Sequence, residues 1–320
     1  MPWSKDGSKK EKTSRIRKYS LRNIRHDFKM SWEVYLLAIP ILLYFIIFNY
    51  IPMAGILMAF ENYSPKKGFF HSAWVGLKHF QDFFGSYYFT RLIGNTFAIS
   101  GLSILFAFPA PIILALLLNE ISTKWFKKTV QTMSYLPYFV SVVVICGLIK
   151  SFCDTNGVIT NLLVTFGAAR RNLLSDPSMF RPIYIVSDIW AGIGFSSIIY
   201  LAALSGVDRE LYEAAVLDGA GRWMQTWHIT LPGISSTIVI MLIMRMGSIF
   251  SVGFEKIILL YNPLTYETAD VISSFTYRKG LIENNYGYST AVGLFNSVVN
   301  FVMLLISNWI ARSFSETSLF

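Results

Sequence analysis

Four histidines (His26, His71, His79 and His228) and two cysteines (Cys146 and Cys153) are the side chains most able to hold a metal or act as a nucleophile, and their spacing suits neither task. No His-Glu-x-x-His run, no Gly-x-Ser-x-Gly turn and no Gly-x-x-x-x-Gly-Lys-Ser/Thr loop for nucleotide phosphates occurs. The chain therefore reads as supplying no covalent chemistry, no metal site and no bound cofactor. Two cysteines cannot define a disulfide framework; both end an apolar run and read as small fillers. What remains is a set of polar and aromatic residues inside otherwise apolar stretches: Arg245, Asp188, Asn296, Asn300, Trp190, Tyr200 and Tyr44. Their available chemistry is reversible binding. A guanidinium can hold a carboxylate, amides can bond hydroxyls, and aromatic faces can stack on apolar ring faces.

The elements that must position these groups are membrane spans. Of 320 residues, 53% are hydrophobic and only 15% charged, against roughly 25% charged in soluble domains. A soluble protein this poor in charge could not cover itself. A spanning helix needs about 20 mostly apolar residues. Six segments qualify, near 34–58, 92–118, 130–150, 183–204, 233–254 and 290–311. Each is continuously apolar rather than alternating, so the predicted fold is all-α with six transmembrane helices, not a barrel. The first is too long for a signal-peptide core and is expected to stay as an anchor. Pro109 and Pro111 fall inside the second span and predict a kink there.

Charge sets the expected orientation. Residues 1–29 hold ten bases against three acids and carry +7 of the net +9. The rest is nearly neutral, so the basic balance points to anionic lipid and not to nucleic acid. This leader places the N-terminus in the cytoplasm. Six crossings return the C-terminus there and put the loop at 205–232 on the same side. At 1.5 Å per residue, Arg245 lies roughly 18 Å from the inner edge of its span and Asp188 about 8 Å from the outer edge of its own, in a core of roughly 30 Å. The two depths are close. Arg245 is expected either to pair with Asp188 or to face a cavity and attract an acidic solute. Asn296 and Asn300, four apart, either face the same cavity or bond a neighbouring helix.

The loop between the fourth and fifth spans predicts two short helices. Asp208 is a good N-cap, with Glu210 in the first turn. Leu211 and Ala215 share a face. Gly219 and Gly221 offer helix-ending conformations, Trp223 and Trp227 share a side, and Pro232 can begin the next helix. Within it, Glu213-Ala214-Ala215 is followed after three residues by Gly219, and nine residues later by Ile229-Thr230-Leu231-Pro232.

This pattern resembles that of the membrane subunits of binding-protein-dependent ABC importers, at every defining position. The resemblance implies the type I importer permease fold and makes the loop a coupling helix seated in a cleft of an ATPase. Glu213 would be its charged contact, Ala214 and Ala215 would permit close approach, and Gly219 would turn the chain. Asp218-Gly-Ala, Trp223, Tyr288-Ser-Thr-Ala-Val-Gly293, Val252-Gly-Phe-Glu255 and Leu260-Tyr-Asn-Pro263 are similar to sugar-type permeases of the maltose-importer kind, in the branch for complex oligosaccharides. The partners so implied are a second, different permease, two ATPase subunits carrying ATP and Mg, an extracytoplasmic solute-binding protein and membrane lipid, at a bacterial cytoplasmic membrane. The expected organisation is a basic leader (1–30), a first helix and outer loop (31–90), a permease core (91–312) with the coupling loop at 205–232, and a tail (313–320). Alternatives are an ABC permease for a non-sugar solute and an ion-coupled transporter; the latter leaves the loop pattern unexplained.

Overall fold

The computed structural model describes residues 32–314. The basic leader and the C-terminal tail from 315, with the lipid contact expected of the leader, lie outside the described residues. The chain divides into two units, Met1–Gly55 and Ile56–Phe320.

Among the described residues, five helices are long and apolar enough to cross a membrane, and one bent pair makes a sixth span. In chain order they are α1 (Trp32–Phe60), α2 (Tyr87–Glu120), α3 (Val142–Thr165), α4 (Pro177–Leu204), the pair α5 (Arg222–Gly233) and α6 (Ser235–Met246), and α7 (Tyr286–Arg312). A two-residue antiparallel hairpin, Glu61–Asn62 on Ala73–Trp74, follows the first span. The all-α, multi-pass expectation holds, and two of the six spans need correcting.

The third span is shifted. Residues 124–135 form a separate helix, Lys124–Tyr135, carrying Lys124, Lys127 and Lys128, and the span begins only at Val142. Pro137 follows this helix closely and lacks the backbone donor to continue it, so the chain tightens at Leu136–Phe139 before Ser141 caps the span by accepting from the Val144 N–H. The fifth span ends at Met246 rather than near 254, and irregular backbone runs on to Gly253.

Irregular backbone beside lipid is tolerated only when its polar groups find partners. Here neighbouring spans supply them. Asn300 of α7 accepts the Phe250 N–H at 2.8 Å and donates to Ser251 Oγ at 3.0 Å. Ser100 of α2 donates to the Ile249 carbonyl. Asn300 is thus spent on the irregular segment after the fifth span, and not on a neighbouring helix. Asn300→Leu leaves the buried Phe250 amide without its acceptor, so it should lower stability by about 1–3 kcal/mol. Thermal unfolding in detergent checks this, with Asn296→Leu as the contrast: Asn296 Oδ1 is buried without a partner, and its loss should cost far less.

Prolines explain a repeated irregularity. Widened π turns occupy Ile46–Tyr50, Ser103–Ala107 and Thr226–Thr230, each ending two residues before a proline: Pro52, Pro109 and Pro232. A proline ring collides with the carbonyl four residues back. In each case the residue before the proline bonds five residues back instead (Ile51 to Ile46, Phe108 to Ser103, Leu231 to Thr226), which opens the turn where the ring must fit. The kink expected at Pro109 takes this form.

Helices in lipid gain little from hydrophobicity against one another, so close approach and polar bonds hold them. A side chain at Gly194 of α4 would strike the Ser134 carbonyl of the Lys124–Tyr135 helix. Three apolar clusters fill the crossings: one around Phe180, Tyr184 and Ile257, one around Phe83, Phe250 and Phe275, and one around Ile112, Tyr200 and Ile234. Cys146 and Cys153 are free and buried in the first, as fillers.

Candidate functional site

Two sites emerge. The first is the loop between α4 and α5. Asp208 Oδ1 accepts the Glu210 N–H at 3.0 Å and starts the helix Arg209–Leu217. Gly219 ends it at φ +78°, the left-handed region that glycine enters without strain. There the Gly219 N–H bonds the Val216 carbonyl at 3.0 Å and the Ala220 N–H bonds the Ala215 carbonyl at 2.8 Å, a paired closure that satisfies the last carbonyls. Gly221 does not end a helix; it precedes α5 in extended backbone as its N-cap.

The two helices are tied together. Tyr212 donates to Thr230 Oγ1 at 3.0 Å, and Gln225 Nε2 donates to the Ala220 carbonyl at 2.8 Å. Pro232 continues α5 rather than starting a new span, and α6 leaves at 61° to it. Gly233 sits against Val207 at this bend, with no room for a side chain. Thr230 is buried, Ala215 and Ile229 are half-buried, and half-buried Leu231 packs on the Ile112–Tyr200–Ile234 cluster, whereas Glu213, Ala214, Asp218, Gly219 and Pro232 are exposed. The hairpin that carries Glu213 leaves large apolar side chains uncovered: Leu217 is 89% exposed, Trp223 79% and Trp227 63%, and Val216 and Met224 are exposed as well. Leu217, Val216 and Met224 escaped sequence reading because an apolar residue on a short helix reads as core until its partner face is found empty.

The second site is a cavity of about 440 Å³ between the second, fourth and sixth helices, within the roughly 300–1,000 Å³ common for small-molecule sites. Tyr138, Asp188, Phe195, Tyr200, Arg245 and Ser248 are among its walls. The Tyr138 and Phe195 rings stack in parallel at 3.9 Å. Asp188 and Arg245 meet here, as their depths predicted, but they do not pair. Asp188 instead binds Lys256 at 3.4 Å, and Lys256 Nζ also donates to the Tyr184 carbonyl at 3.0 Å and lies over the Tyr184 ring. Arg245 donates to Ser103 Oγ of α2. Lys256 was missed because it lies beyond the fifth span, directly before the apolar run Ile257–Leu260, a context that hides a buried ammonium.

Trp190 does not share this cavity. It lines an apolar groove of about 330 Å³ with Phe152, Cys153 and Val186, away from the cavity. Successive helical residues turn about 100°, so a residue two along from Asp188 points to nearly the opposite side. Asn296 and Asn300 are not among the cavity's walls either. Tyr44 lies in the first unit, tilted against Phe48 at 5.2 Å.

A separate polar cluster ties the segment before α7 to α2 and α4. Asp270 is fully buried and accepts from Arg278 at 2.5 and 3.2 Å and from Ser274 at 2.8 Å, with Arg91 at 3.7 Å. Asn95 bonds the Glu267 and Asp270 carbonyls, each at 2.9 Å, and accepts from Arg181 at 2.8 Å. Burial works against the Arg278 charge, and the Asp270 carboxylate more than offsets it, so this guanidinium is held above its ordinary pKa.

Multiple apolar spans, a cavity with charged walls between them and a folded loop with an uncovered face together define a membrane permease. The chain belongs to the family of binding-protein-dependent transport system inner membrane components, matching it over residues 107–316. It is 46% identical to Protein LplB of Bacillus subtilis (strain 168) over 288 residues, covering 90% of this chain and 91% of that one. It is 43% identical to the polygalacturonan/rhamnogalacturonan transport system permease protein YteP of the same organism, covering 90% of each. Among solved structures, a chain of the bacterial alginate ABC transporter, determined in complex with an alginate pentasaccharide-bound periplasmic protein, superposes with a TM-score of 0.86 at 46% identity, over 93% of this chain and 100% of that one.

Proposed function

We propose that this chain forms the translocation path of an ATP-driven importer for oligosaccharides, with the cavity beside Arg245 as the path and the loop 205–232 as the connection to the motor. The observation that carries it is the uncovered face of that loop. A rigid, internally bonded hairpin presents Glu213 amid Leu217, Trp223 and Trp227, all exposed. Exposed apolar side chains grouped on one short hairpin mark an interaction surface, and the family's members are components of binding-protein-dependent transport systems.

In this reading the loop and both termini face the cytoplasm, at the inner membrane of a bacterium. Glu213, Ala214, Ala215, Asp218 and Gly219 seat in an ATPase subunit, which carries ATP and Mg; this chain is not itself an enzyme and binds no cofactor. Ile229, Leu231 and Pro232, at the end of α5, carry the movement on through the 61° bend to α6, which holds Arg245. A second permease, two ATPases and a solute-binding protein complete the importer. Support for a carbohydrate cargo comes from the polygalacturonan/rhamnogalacturonan relative and the alginate transporter.

The test is reconstitution. The chain, purified with its companion subunits, is expected to carry an ATPase along and to support ATP-dependent uptake of oligosaccharide into proteoliposomes when the binding protein is supplied. Uptake driven by an ion gradient in the chain alone, with no ATPase bound, would sink the proposal.

A further inference from the structure

On the transport reading, the charges of the cavity bear on which cargo it admits. Two charged side chains line the cavity, Asp188 and Arg245. Asp188 is already balanced by Lys256, which is nearly buried and held from behind by the Tyr184 carbonyl. Arg245 has no such balance: among the described residues no carboxylate forms an ion pair with it, and its hydrogen-bond partner is the neutral hydroxyl of Ser103. The three groups together leave the cavity with one unit of positive charge.

A guanidinium has five donors in a planar fork. One is used on Ser103. Arg245 lines the cavity one residue before the end of α6. A cation at a helix C-terminus is favoured by the dipole, which explains why Arg245 is tolerated there but does not use its donors. Nearby, Tyr138 and Phe195, stacked on one another, line the same cavity. A ligand that satisfies both features has a carboxylate and an apolar ring face.

We propose that Arg245 is a specificity-determining residue that binds the carboxylate of a hexuronate unit as it passes, so that the path selects acidic over neutral oligosaccharides. A carboxylate accepts two parallel bonds from the fork, and the sugar's C–H face lies on the aromatic wall. A neutral sugar leaves the fork unpaired, which is the stronger source of discrimination.

The test compares ATP-dependent uptake of a uronate oligosaccharide and its carboxyl-reduced, neutral counterpart in proteoliposomes. The wild-type complex is expected to prefer the acidic sugar. Arg245→Met is expected to reduce the acid-to-neutral uptake ratio by about tenfold or more. Arg245→Gln, which retains a donor for Ser103, guards against lost assembly and must lose the preference as well. ATP-dependent uptake in which either variant keeps the wild-type ratio would overturn the assignment of Arg245 while leaving the transport reading intact. Absence of ATP-dependent uptake of either sugar by the wild-type complex would instead overturn the transport reading, and this one with it.

Discussion

A chain carrying Glu213→Lys is expected to insert and fold, keep its cavity, and lose ATP-driven uptake. Glu213 is exposed on the helix Arg209–Leu217, so the substitution breaks no internal bond. The hairpin stays closed through Tyr212–Thr230, Gln225–Ala220 and the Gly219 turn. The damage falls on the interface. Truncating one side of a buried, hydrogen-bonded charge pair costs on the order of 2–5 kcal/mol, and reversal adds repulsion. Loss of ATPase in co-purification and of uptake in proteoliposomes measures it, while unchanged thermal unfolding of the isolated chain separates docking from folding. Leu217→Asp, at the most exposed apolar position of the patch, should act in the same direction. If both variants bind ATPase and transport normally, the loop is not the docking surface.

The largest stability effect is expected at Asp270, not in either functional site. Asp270→Asn should destabilise the chain by about 3–5 kcal/mol. The carboxylate is fully buried and balances Arg278 directly and Arg91 at 3.7 Å. Removing it leaves two partly buried guanidinium groups facing each other without an anion. The pair itself is weak evidence of net stability, since burying both charges was costly. The informative contrast is therefore the double variant Asp270→Leu with Arg278→Met, which should recover part of the loss. Thermal unfolding and retained assembly report both. A single variant as stable as wild type would mean that water or another group already balances the arginines.

These two predictions differ in how readable their residues were. Glu213 belongs to a fixed pattern within one loop, and the cap at Asp208 and the turn at Gly219 are local devices that the structure reproduces. Asp270 carried no signal. It is a lone acid between Ala269 and Val271, and its partners arrive from Arg278, eight residues on, and from Arg91 on another span. The pairing of Arg245 with Asp188 failed for a related reason. Depth along a helix follows from counting, so their shared cavity was foreseeable, but which charge neutralises Asp188 depended on where the backbone after Met246 turns. That turn brought Lys256 to it.

The number of spans, the all-helical class and the capped, glycine-turned hairpin were legible in the sequence, because lipid demands long apolar runs and because caps and turns act over a few residues. Tertiary structure alone decided which polar groups face the cavity, which are spent on structure and which charge is left over. Rotation by about 100° per residue put Trp190 outside the cavity that Asp188 lines. The broken end of the fifth span claimed Asn300 for its unsatisfied amide. Lys256, arriving from beyond that break, took Asp188 and left Arg245 as the cavity's unbalanced cation.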